Sequence, residues 1–572
     1  MRAALIALLL FGGTLAALFI AGEDTGISRD ESFYVHAARQ QAEYLRAAFE
    51  DPSLAFDKET IDKAYRYNRE HPALMKNLFA LSLIAHEELD LFPTEIAAHR
   101  FPAMVISALL VAMIYLAFRS RVGELPALFS AIAFITMPRV FYHSQLNCFD
   151  IPIVFFIFIT SMAYLKSFES KWWAALTGVF FGLALATKHN SWALPIIFGI
   201  HYACVVYTER SRRARQRASG EVNRETNEET QISLFPRAFL AMAILGPIIF
   251  FLHWPYLYHD TFQRIGFYIG FHLRHDFYNM AYFGVTYFQP PFPISYPFIM
   301  MLFTIPLTLS ALLVLGIYRA IPAILPAPLR ARLFRLSSGP RDPQLSTLLF
   351  FGLFFAPLVI IALPHTPIFG GTKHFMPAYP FLVYFAALGA ASANRVLWRF
   401  LPIANKRMKK TVTVSSFCLL LLPGAVETYT SHPYGIAHYT YPALGTSGAA
   451  ALGMNRQFWG HTTAQIMDVL VDALPEGGTV YPSDTTTLAF HMMLEDRFPE
   501  AKLRVVYDMR SADMILVHHE HHFAEVEFQA WAVTGSAAPY YVSTHEGVPI
   551  SASTIIGPGA RAADSLSAHA AD

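Results

Sequence analysis

The 572-residue sequence is poor in charge and in cysteine. Charged residues make up 15% of the chain, against about a quarter in soluble domains. The formal net charge is only +1, which argues against a nucleic-acid partner. The three cysteines, Cys148, Cys204 and Cys418, form no CxxC spacing. A disulfide framework or a cysteine-based zinc site therefore has no support.

Apolar sequence is abundant instead: 54% of the residues are hydrophobic, including 49 Phe and 27 Tyr. Runs close to the length that crosses a bilayer recur along the chain. We interpret the first run as an uncleaved span rather than a signal peptide, because no clear A-x-A cleavage site follows it. The sequence predicts about eleven spans, at residues 3–21, 101–118, 125–142, 151–167, 172–187, 191–207, 237–253, 296–318, 347–363, 377–394 and 411–427.

The positions of basic residues predict which side each connection faces. Cytoplasmic connections are enriched in Lys and Arg, and with Arg2 inside every second connection is basic. The basic connections contain Arg119, Arg121, Lys166, Lys171 and the Arg and Lys residues of 210–217, 319–341 and 395–410. The outer side then carries loops at 22–100, 254–295 and 364–376, a turn at 147–150, and the chain beyond 428.

These patterns predict two domains. Residues 1–427 form an all-α multi-pass transmembrane bundle whose first outer loop is 22–100, and residues 428–572 form a small C-terminal α/β domain outside the membrane. In that domain we predict strands at 479–481, 503–507 and 514–517, a helix at 485–493, and a hairpin of 540–544 with 549–556 around Gly547. Residues beyond about 560 are predicted to be disordered.

Three acidic residues on the outer side are candidates for chemistry. Ser28 followed by Glu31 fits a capping box that opens a helix reaching about Phe49, so Glu31 has a structural alternative. Asp30 sits just past the first span, where a carboxylate can face a substrate at the membrane surface. Asp150 lies at the mouth of a span, where an acid needs a partner or a water-filled cavity. Its alternative role is that of a helix N-cap.

Cations are scarce on the outer side outside the first loop and the terminal domain. Each is therefore a candidate ligand for an anionic lipid head group, and for Lys188 the alternative is a snorkelling side chain. Gly370 and Gly371 permit close backbone approach, so that Lys373 and His374 could face a phosphate. The candidate cations are Lys188, Arg264, Arg274 and Lys373.

Two histidine motifs have structural interpretations on spacing alone. His71 to Lys76, reading HPALMK, is typical of a loop turn fixed by Pro72. His518 to His522, reading HHEHH, would offer a metal site only if adjacent side chains pointed at one ion. We therefore interpret it as a solvated loop after a strand.

Several motifs together resemble one family. The chain between about 25 and 460 resembles the protein O-mannosyltransferase and aminoarabinose-transferase branch of the GT-C glycosyltransferases. It departs from the family's pattern in reading HPA for HPP and in carrying His189-Asn190 after the TK pair. The motifs, in order, are Asp30-Glu31, 71–76, Arg100-Phe101-Pro102, Asp150, 185–188 (LATK), 373–380 (KHFMPAYP) and 453–460 (GMNRQFWG).

The resemblance implies a GT-C bundle that moves a sugar, mannose-like or a pentose, from a polyprenyl-phosphate carrier to a hydroxyl of a protein, lipid or glycan, with inversion. Asp30 would be the catalytic base, Asp150 would orient the base, the acceptor or a metal, and Glu31 is the third acid. The phosphate would be held by Lys188 and Lys373, with Arg264, Arg274 and His374 in reserve, and the motif adds His71 and Lys76. No cofactor is implied beyond an optional divalent metal, and the location implied is a bacterial inner membrane with a periplasmic site.

Two other functions compete with the transferase. A transporter or lipid flippase should show intramembrane acids and broken helices in paired halves. Here the acids lie at the outer rim and no halves match. A structural or binding membrane protein is the third hypothesis, since the first loop and the terminal domain could bind envelope components.

Overall fold

The computed structural model describes residues 1–218, 236–324, 343–401, 405–460, 464–520 and 524–556. The chain is mainly helical, and each of the predicted spans falls on helical structure. The helices up to residue 431 are α1 (Arg2–Gly22), α2 (Arg29–Glu50), α3 (Lys58–Tyr65), α4 (Leu74–Leu89), α5 (Glu95–Val122), α6 (Glu124–Ile135), α7 (Pro138–Gln145), α8 (Asp150–Lys166), α9 (Lys171–Leu185), α10 (Leu194–Ala218), α11 (Arg237–Leu252), α12 (Thr261–Leu273), α13 (Tyr296–Thr304), α14 (Leu307–Ile324), α15 (Pro343–Ala362), α16 (Tyr379–Phe400) and α17 (Lys406–Ser431).

Among the described residues, six helices are long and apolar enough to cross a membrane: Arg2–Gly22, Glu95–Val122, His189–Ser211, Leu345–Ala362, Lys373–Phe400 and Lys406–Ser431. The bent pair α6 and α7 makes a seventh candidate. The other predicted spans coincide with shorter helices, α8, α9 and α11, or with the broken helix α13–α14. The basic positions 330, 332, 335 and 341 lie outside the described residues.

The predicted span 125–142 is not one straight helix. Helix α6 ends at Ile135, and the chain then turns by 67° into α7. Pro138 is the first residue of α7, a position that suits proline because no helical N–H is required there. The bend carries α7 into the bundle, so that Arg139 and His143 are each only 1% exposed.

The predicted span 296–318 also breaks, between α13 and α14. Pro306 precedes α14 and has no N–H for a continuous helix. Thr440 compensates for the break: its backbone N–H donates to Phe303 O at 2.8 Å, and its hydroxyl donates to Ile305 O at 2.8 Å. These bonds satisfy carbonyls that the break would otherwise leave unpaired.

The first outer loop is mostly helical and packs onto the bundle. As predicted, α2 begins after Ser28, whose N–H donates to the Glu31 carboxylate at 2.9 Å. Helices α2 and α4 pack against each other, and α4 packs against α5. A separate outer loop, 254–295, carries a strand pair after α12, β1 (Met280–Tyr282) with β2 (Val285–Tyr287).

The described part of the terminal region contains a five-stranded sheet and four α-helices, close to the prediction. The sheet order is β4-β3-β5-β7-β6, with β3 parallel to β4 and β5, and β7 antiparallel to β5 and β6. The predicted disorder after 560 lies outside the described residues. The elements are α18 (Gly445–Ala451), α19 (Ala464–Ala473), β3 (Gly478–Tyr481), α20 (Thr487–Arg497), β4 (Leu503–Val505), β5 (Met514–Val517), α21 (Ala524–Thr534), β6 (Tyr541–His545) and β7 (Val548–Ile556).

The terminal sheet shares an apolar core with the first outer loop. Ile27, Val35 and Ile96 pack in one cluster with side chains of α20 and the sheet. The prediction of a solvated loop at 518–522 is wrong at His518, which is 1% exposed and hydrogen-bonded to Thr485 at 3.2 Å. Positions 521 and 522 lie outside the described residues.

Candidate active site

Asp30 and Lys373, far apart in sequence, form an ion pair. Lys373 Nζ lies 2.9 Å from Asp30 Oδ2. Asp30 is in the first turn of α2, and Lys373 opens the 3₁₀ turn that leads into α16. The Lys373 side chain is 5% exposed and that of Asp30 is 24% exposed. The carboxylate therefore keeps one accessible side while its cation is buried.

Asp150 and Lys188 form a second, more deeply buried pair. Lys188 Nζ lies 2.6 Å from Asp150 Oδ1, and His143 Nδ1 lies 3.5 Å from the other oxygen, Oδ2. Asp150 is the first residue of α8, where the helix dipole favours a negative charge. A buried carboxylate needs such partners. They hold Asp150 in one orientation.

The indole of Trp459 connects the two ion pairs. Lys373 Nζ lies 4.4 Å from the centre of this ring, and the His143 ring packs edge-on against it at 5.1 Å. The Trp459 carbonyl accepts the N–H of Arg29 at 2.9 Å, one residue before the acidic pair of α2. The segment 453–460, which belongs to the C-terminal region, thus lines the site.

The terminal domain also fixes the first turn of α2. Arg29 forms an ion pair with Asp484. The hydroxyls of Ser32 and Thr486 are 3.0 Å apart. These contacts flank Asp30 on both sides along the chain, so the terminal domain helps to place this carboxylate.

Aromatic and imidazole rings line the site beside the ion pairs. The Tyr34 ring lies 4.1 Å from Phe149, and His71 packs against both at 5.8 and 5.5 Å. Burial, followed by the charge of Asp30, raises the pKa of Tyr34 well above its usual value, so the phenol remains an O–H donor. Burial, followed by the charge of Lys76, lowers the pKa of His71 well below its usual value. Its imidazole is therefore neutral.

Three more histidines, His189, His272 and His374, extend this lining of rings. His189 and His272 stack at 4.0 Å, and burial lowers the pKa of His272 to about 4. His71 Nδ1, His189 Nδ1 and His374 Nε2 are buried without a hydrogen-bond partner in the described part of the chain. Buried polar atoms normally have partners in a native fold. These three nitrogens are therefore available to a polar partner.

Arg139 is a site cation that the sequence analysis missed. Its guanidinium carbon lies 5.0 Å from the rings of both Tyr439 and Phe458, and no carboxylate of the described residues pairs with it. Guanidinium is a bidentate ligand for phosphate. An arginine inside the predicted span 125–142 was the available signal, because charges within spans usually mark functional sites.

Gly370 and Gly371 bring the Lys373 loop against these groups. Both have positive φ, at 66° and 67°. A Cβ at Gly370 would lie 2.7 Å from Lys373 Cε and from Trp459 Nε1, and one at Gly371 would lie 2.7 Å from Arg139 Nη1. Glycine is therefore required here for close approach, as predicted.

Glu31 follows Asp30 in sequence but lies in a different pocket. Arg100 Nε and Nη2 donate to its two carboxylate oxygens at 2.9 and 3.0 Å. The backbone N–H groups of Ser28 and Asn147 donate to the same carboxylate at 2.9 and 3.2 Å. The side chain is 1% exposed. This geometry matches the helix-capping alternative, with Glu31 joining α2 to α5 and to the turn before α8.

Two other predicted residues make contacts outside the ion-pair cluster. Arg264 Nη1 lies 2.6 Å from Asp62 Oδ1, on α3. Lys76 is buried and donates to the backbone oxygens of Asn68 and His71 at 2.8 and 3.0 Å. Lys76 therefore holds the turn that carries His71, and its influence on the site passes through that turn.

Arg274 is exposed and directly follows α12. The next residue, His275, stacks on Phe369 at 5.0 Å, and Phe369 packs over Lys373 Nζ at 4.7 Å. The outer loop 254–295 thus reaches the site at its edge.

Residues 79–217 match the family model described as dolichyl-phosphate-mannose-protein mannosyltransferase. The predicted resemblance is confirmed over this segment. The matched segment contains Arg100, Arg139, Asp150 and Lys188, while Asp30 and Lys373 lie on either side of it.

Two solved structures of ArnT from Cupriavidus metallidurans are similar to the chain. The apo structure has 15% identity and a TM-score of 0.48, covering 93% of this chain and 89% of that one. The structure bound to undecaprenyl phosphate has 14% identity and a TM-score of 0.46, covering 95% and 97%. No curated protein matches the chain.

Proposed function

We propose that the protein is a membrane glycosyltransferase that moves a sugar from a polyprenyl-phosphate carrier to an acceptor hydroxyl at the outer face of the membrane. One observation carries the proposal: two carboxylates and two lysines from distant parts of the chain meet around Trp459. The family model supports the same donor class, because its description names a mannose carried on dolichyl phosphate.

The reaction is a displacement at the anomeric carbon of the donor sugar. The acceptor oxygen forms a bond to this carbon, and the bond between the carbon and the carrier's phosphate oxygen breaks with its electron pair. The acceptor hydroxyl gives its proton to a carboxylate, and the products are the glycoside and the free polyprenyl phosphate. Direct displacement inverts the anomeric centre.

Asp30 is the proposed base. Its Oδ2 is held by Lys373 at 2.9 Å, which leaves Oδ1 to accept the acceptor's proton. Its partial exposure allows an acceptor to reach it, whereas Glu31 and Asp150 are at most 4% exposed. Proton transfer by a positioned group of this kind typically contributes about 10²–10⁴-fold to a rate.

Lys373, Lys188 and Arg139 are the proposed ligands of the leaving phosphate. A lysine ammonium has three donors, so Lys373 can bind a phosphate oxygen while it still orients Asp30. Arg139 has no carboxylate partner among the described residues, so its charge is available to the phosphate. Preorganised cations aimed at developing charge are usually the largest contribution to catalysis.

The remaining roles follow from position. Asp150 orients Lys188, and the imidazoles of His71, His189 and His374 offer hydrogen bonds to the sugar or the phosphate. Arg274 is a reserve cation at the rim.

The proposed sugar is a mannose-like hexose or a pentose, the acceptor belongs to a protein, lipid or glycan, and the site opens to the periplasm of a bacterial inner membrane.

The test uses membranes that contain the protein, supplied with labelled polyprenyl-phosphate sugars. The release of free polyprenyl phosphate is measured for the wild type, for Asp30→Asn and for a matched control, Asp90→Asn. Asp90 ends α4 in a left-handed conformation, with φ of 50°, which asparagine also adopts. This control therefore removes a carboxylate of the same loop without straining the backbone.

We expect release by the wild type and by Asp90→Asn and none by Asp30→Asn, and the labelled product then identifies the acceptor. Equal release by all three proteins would remove Asp30 as the base. If folded wild type released nothing from any donor in membranes that contain acceptors, the transferase proposal would be wrong. Movement of intact labelled donor across the membrane would then favour a flippase.

A further inference from the structure

A histidine pair and a glutamate meet where the segment after α17 contacts the terminal sheet. His438 lies in that segment, and His545 and Glu546 lie at the tip of the β6–β7 hairpin. His438 Nδ1 is 3.0 Å from His545 Nε2 and 3.7 Å from Glu546 Oε1. All three donor atoms lie within 4.8 Å of one another.

These separations suit a tetrahedral metal ion. Zinc binds imidazole nitrogen and carboxylate oxygen at about 2.0–2.2 Å, which makes the edges of a tetrahedral ligand set about 3.3–3.6 Å long. The observed 3.0 and 3.7 Å distances bracket this length. Small side-chain rotations would place one ion between the three atoms.

The surrounding chain holds the glutamate in position. The Thr446 N–H donates to Glu546 Oε2 at 2.7 Å, which directs the other oxygen, Oε1, to the histidine pair. The Ser447 hydroxyl donates to the backbone oxygen of Glu546 at 3.0 Å. Glu546 adopts a positive φ of 50°, which is uncommon for a non-glycine residue. Outer contacts of this kind are typical of metal ligands.

Burial and access also fit a metal site. His438 and His545 are 3% and 6% exposed, whereas the Glu546 side chain is 38% exposed, which provides an entry path.

We propose that His438, His545 and Glu546 bind one divalent transition-metal ion of the zinc class. The ion fixes the tip of the β6–β7 hairpin to the segment that follows the last membrane helix. A solvent molecule completes the coordination. This site is distinct from the Asp30–Lys373 cluster, and the proposal does not depend on the proposed glycosyl transfer.

A metal-free alternative exists for the same three side chains. One imidazole N–H can donate to the nitrogen of the other ring at 3.0 Å, with the Glu546 carboxylate beside the pair and no metal bound. The two arrangements differ in a measurable way, because only the first gives stoichiometric metal and a ligand-field spectrum.

The experiment uses full-length protein purified without a polyhistidine tag, treated with a chelator and loaded with Co²⁺. Bound metal and the visible absorption of tetrahedral Co²⁺ are measured for wild type, His545→Gln, Glu546→Gln and a control, His491→Gln. Glu546→Gln can still accept the Thr446 N–H, so it keeps the hairpin in place. His491 lies on α20 of the same domain.

We expect wild type and His491→Gln to bind Co²⁺ with a tetrahedral spectrum that Zn²⁺ displaces. Loss of one ligand should weaken Co²⁺ binding by at least about tenfold, since changes in outer ligand contacts alone cost that much. The same spectrum in wild type and Glu546→Gln would overturn the site. So would the absence of tetrahedral Co²⁺ in folded wild type. If His545→Gln fails to fold, Glu546→Gln decides the question.

Discussion

Asp30 and Glu31 are neighbours in sequence, but their carboxylates lie in opposite surroundings. Glu31 is buried and receives hydrogen bonds from Arg100 and two backbone N–H groups. Asp30 pairs with Lys373 and its side chain is 24% exposed. Adjacent residues of a helix point about 100° apart, so one acid enters the helix contacts and the other faces the cavity. The comparison separates a saturated, structural carboxylate from one that is available for chemistry.

The largest effect is expected from breaking the ion pair between Glu31 and Arg100. Glu31→Ala leaves the buried Arg100 guanidinium without its carboxylate, which should destabilise the fold by about 3–5 kcal/mol. The thermal unfolding temperature of detergent-purified protein measures this change. An unchanged Tm with lost activity would contradict the structural role and make Glu31 a catalytic residue.

The next largest effect is expected from removing the charge of Lys373, the partner of Asp30. Lys373→Met should reduce glycosyl transfer by about 10²–10³-fold, as for other groups that stabilise developing charge, and the fold should persist because Asp30 is partly exposed. Lys58→Met is the matched control, since Lys58 forms an exposed ion pair with Asp260. Equal rates for the two variants would remove Lys373 from the site.

Arg139 should show opposite effects on stability and activity. Arg139→Met replaces an unpaired buried charge with an apolar chain of similar length, which is often neutral or stabilising. Transfer should nevertheless fall by more than about tenfold, because a phosphate ligand is lost. Tm and transfer rate are measured on the same preparation. A marked fall in Tm with full specific activity would show that Arg139 has only a structural role.

The smallest change tested is one methyl group. Gly371→Ala places a Cβ 2.7 Å from Arg139 Nη1 at a φ of 67°, whereas Gly284→Ala adds a Cβ in open space at a φ of 76°. Both should incur the left-handed backbone cost of about 1–2 kcal/mol. Only Gly371→Ala should also lower transfer activity. Equal activities would mean that the close approach of this loop is not required.

Some features of the fold can be predicted from local sequence signals, and others cannot. The start of α2, the strands β3 and β5 and the hairpin around Gly547 depend on local signals, namely capping, alternation and glycine, and the structure agrees with them. Asp30 and Lys373, which form an ion pair, are 343 residues apart in sequence. The resemblance and the predicted sidedness made both residues site candidates but did not predict that they pair. Two features depended on tertiary contacts and were missed: the 67° turn into α7 that buries Arg139, and the burial of His518.

Arg264 shows the limit of using the scarcity of outer cations to identify phosphate ligands. It is one of few outer cations, but its guanidinium pairs with Asp62 of α3. No sequence pattern predicts this contact. A count of cations on one side of a membrane identifies candidates. It does not identify their partners, because those depend on how the loop helices pack.

The most direct test separates binding from chemistry. Labelled polyprenyl phosphate is bound to purified wild type, Asp30→Asn and Lys373→Met, and turnover of the corresponding sugar donor is measured on the same samples. The account predicts that Asp30→Asn binds the carrier as the wild type does but does not turn over, while Lys373→Met loses affinity. Wild-type turnover by Asp30→Asn would contradict the assignment of Asp30 as the base.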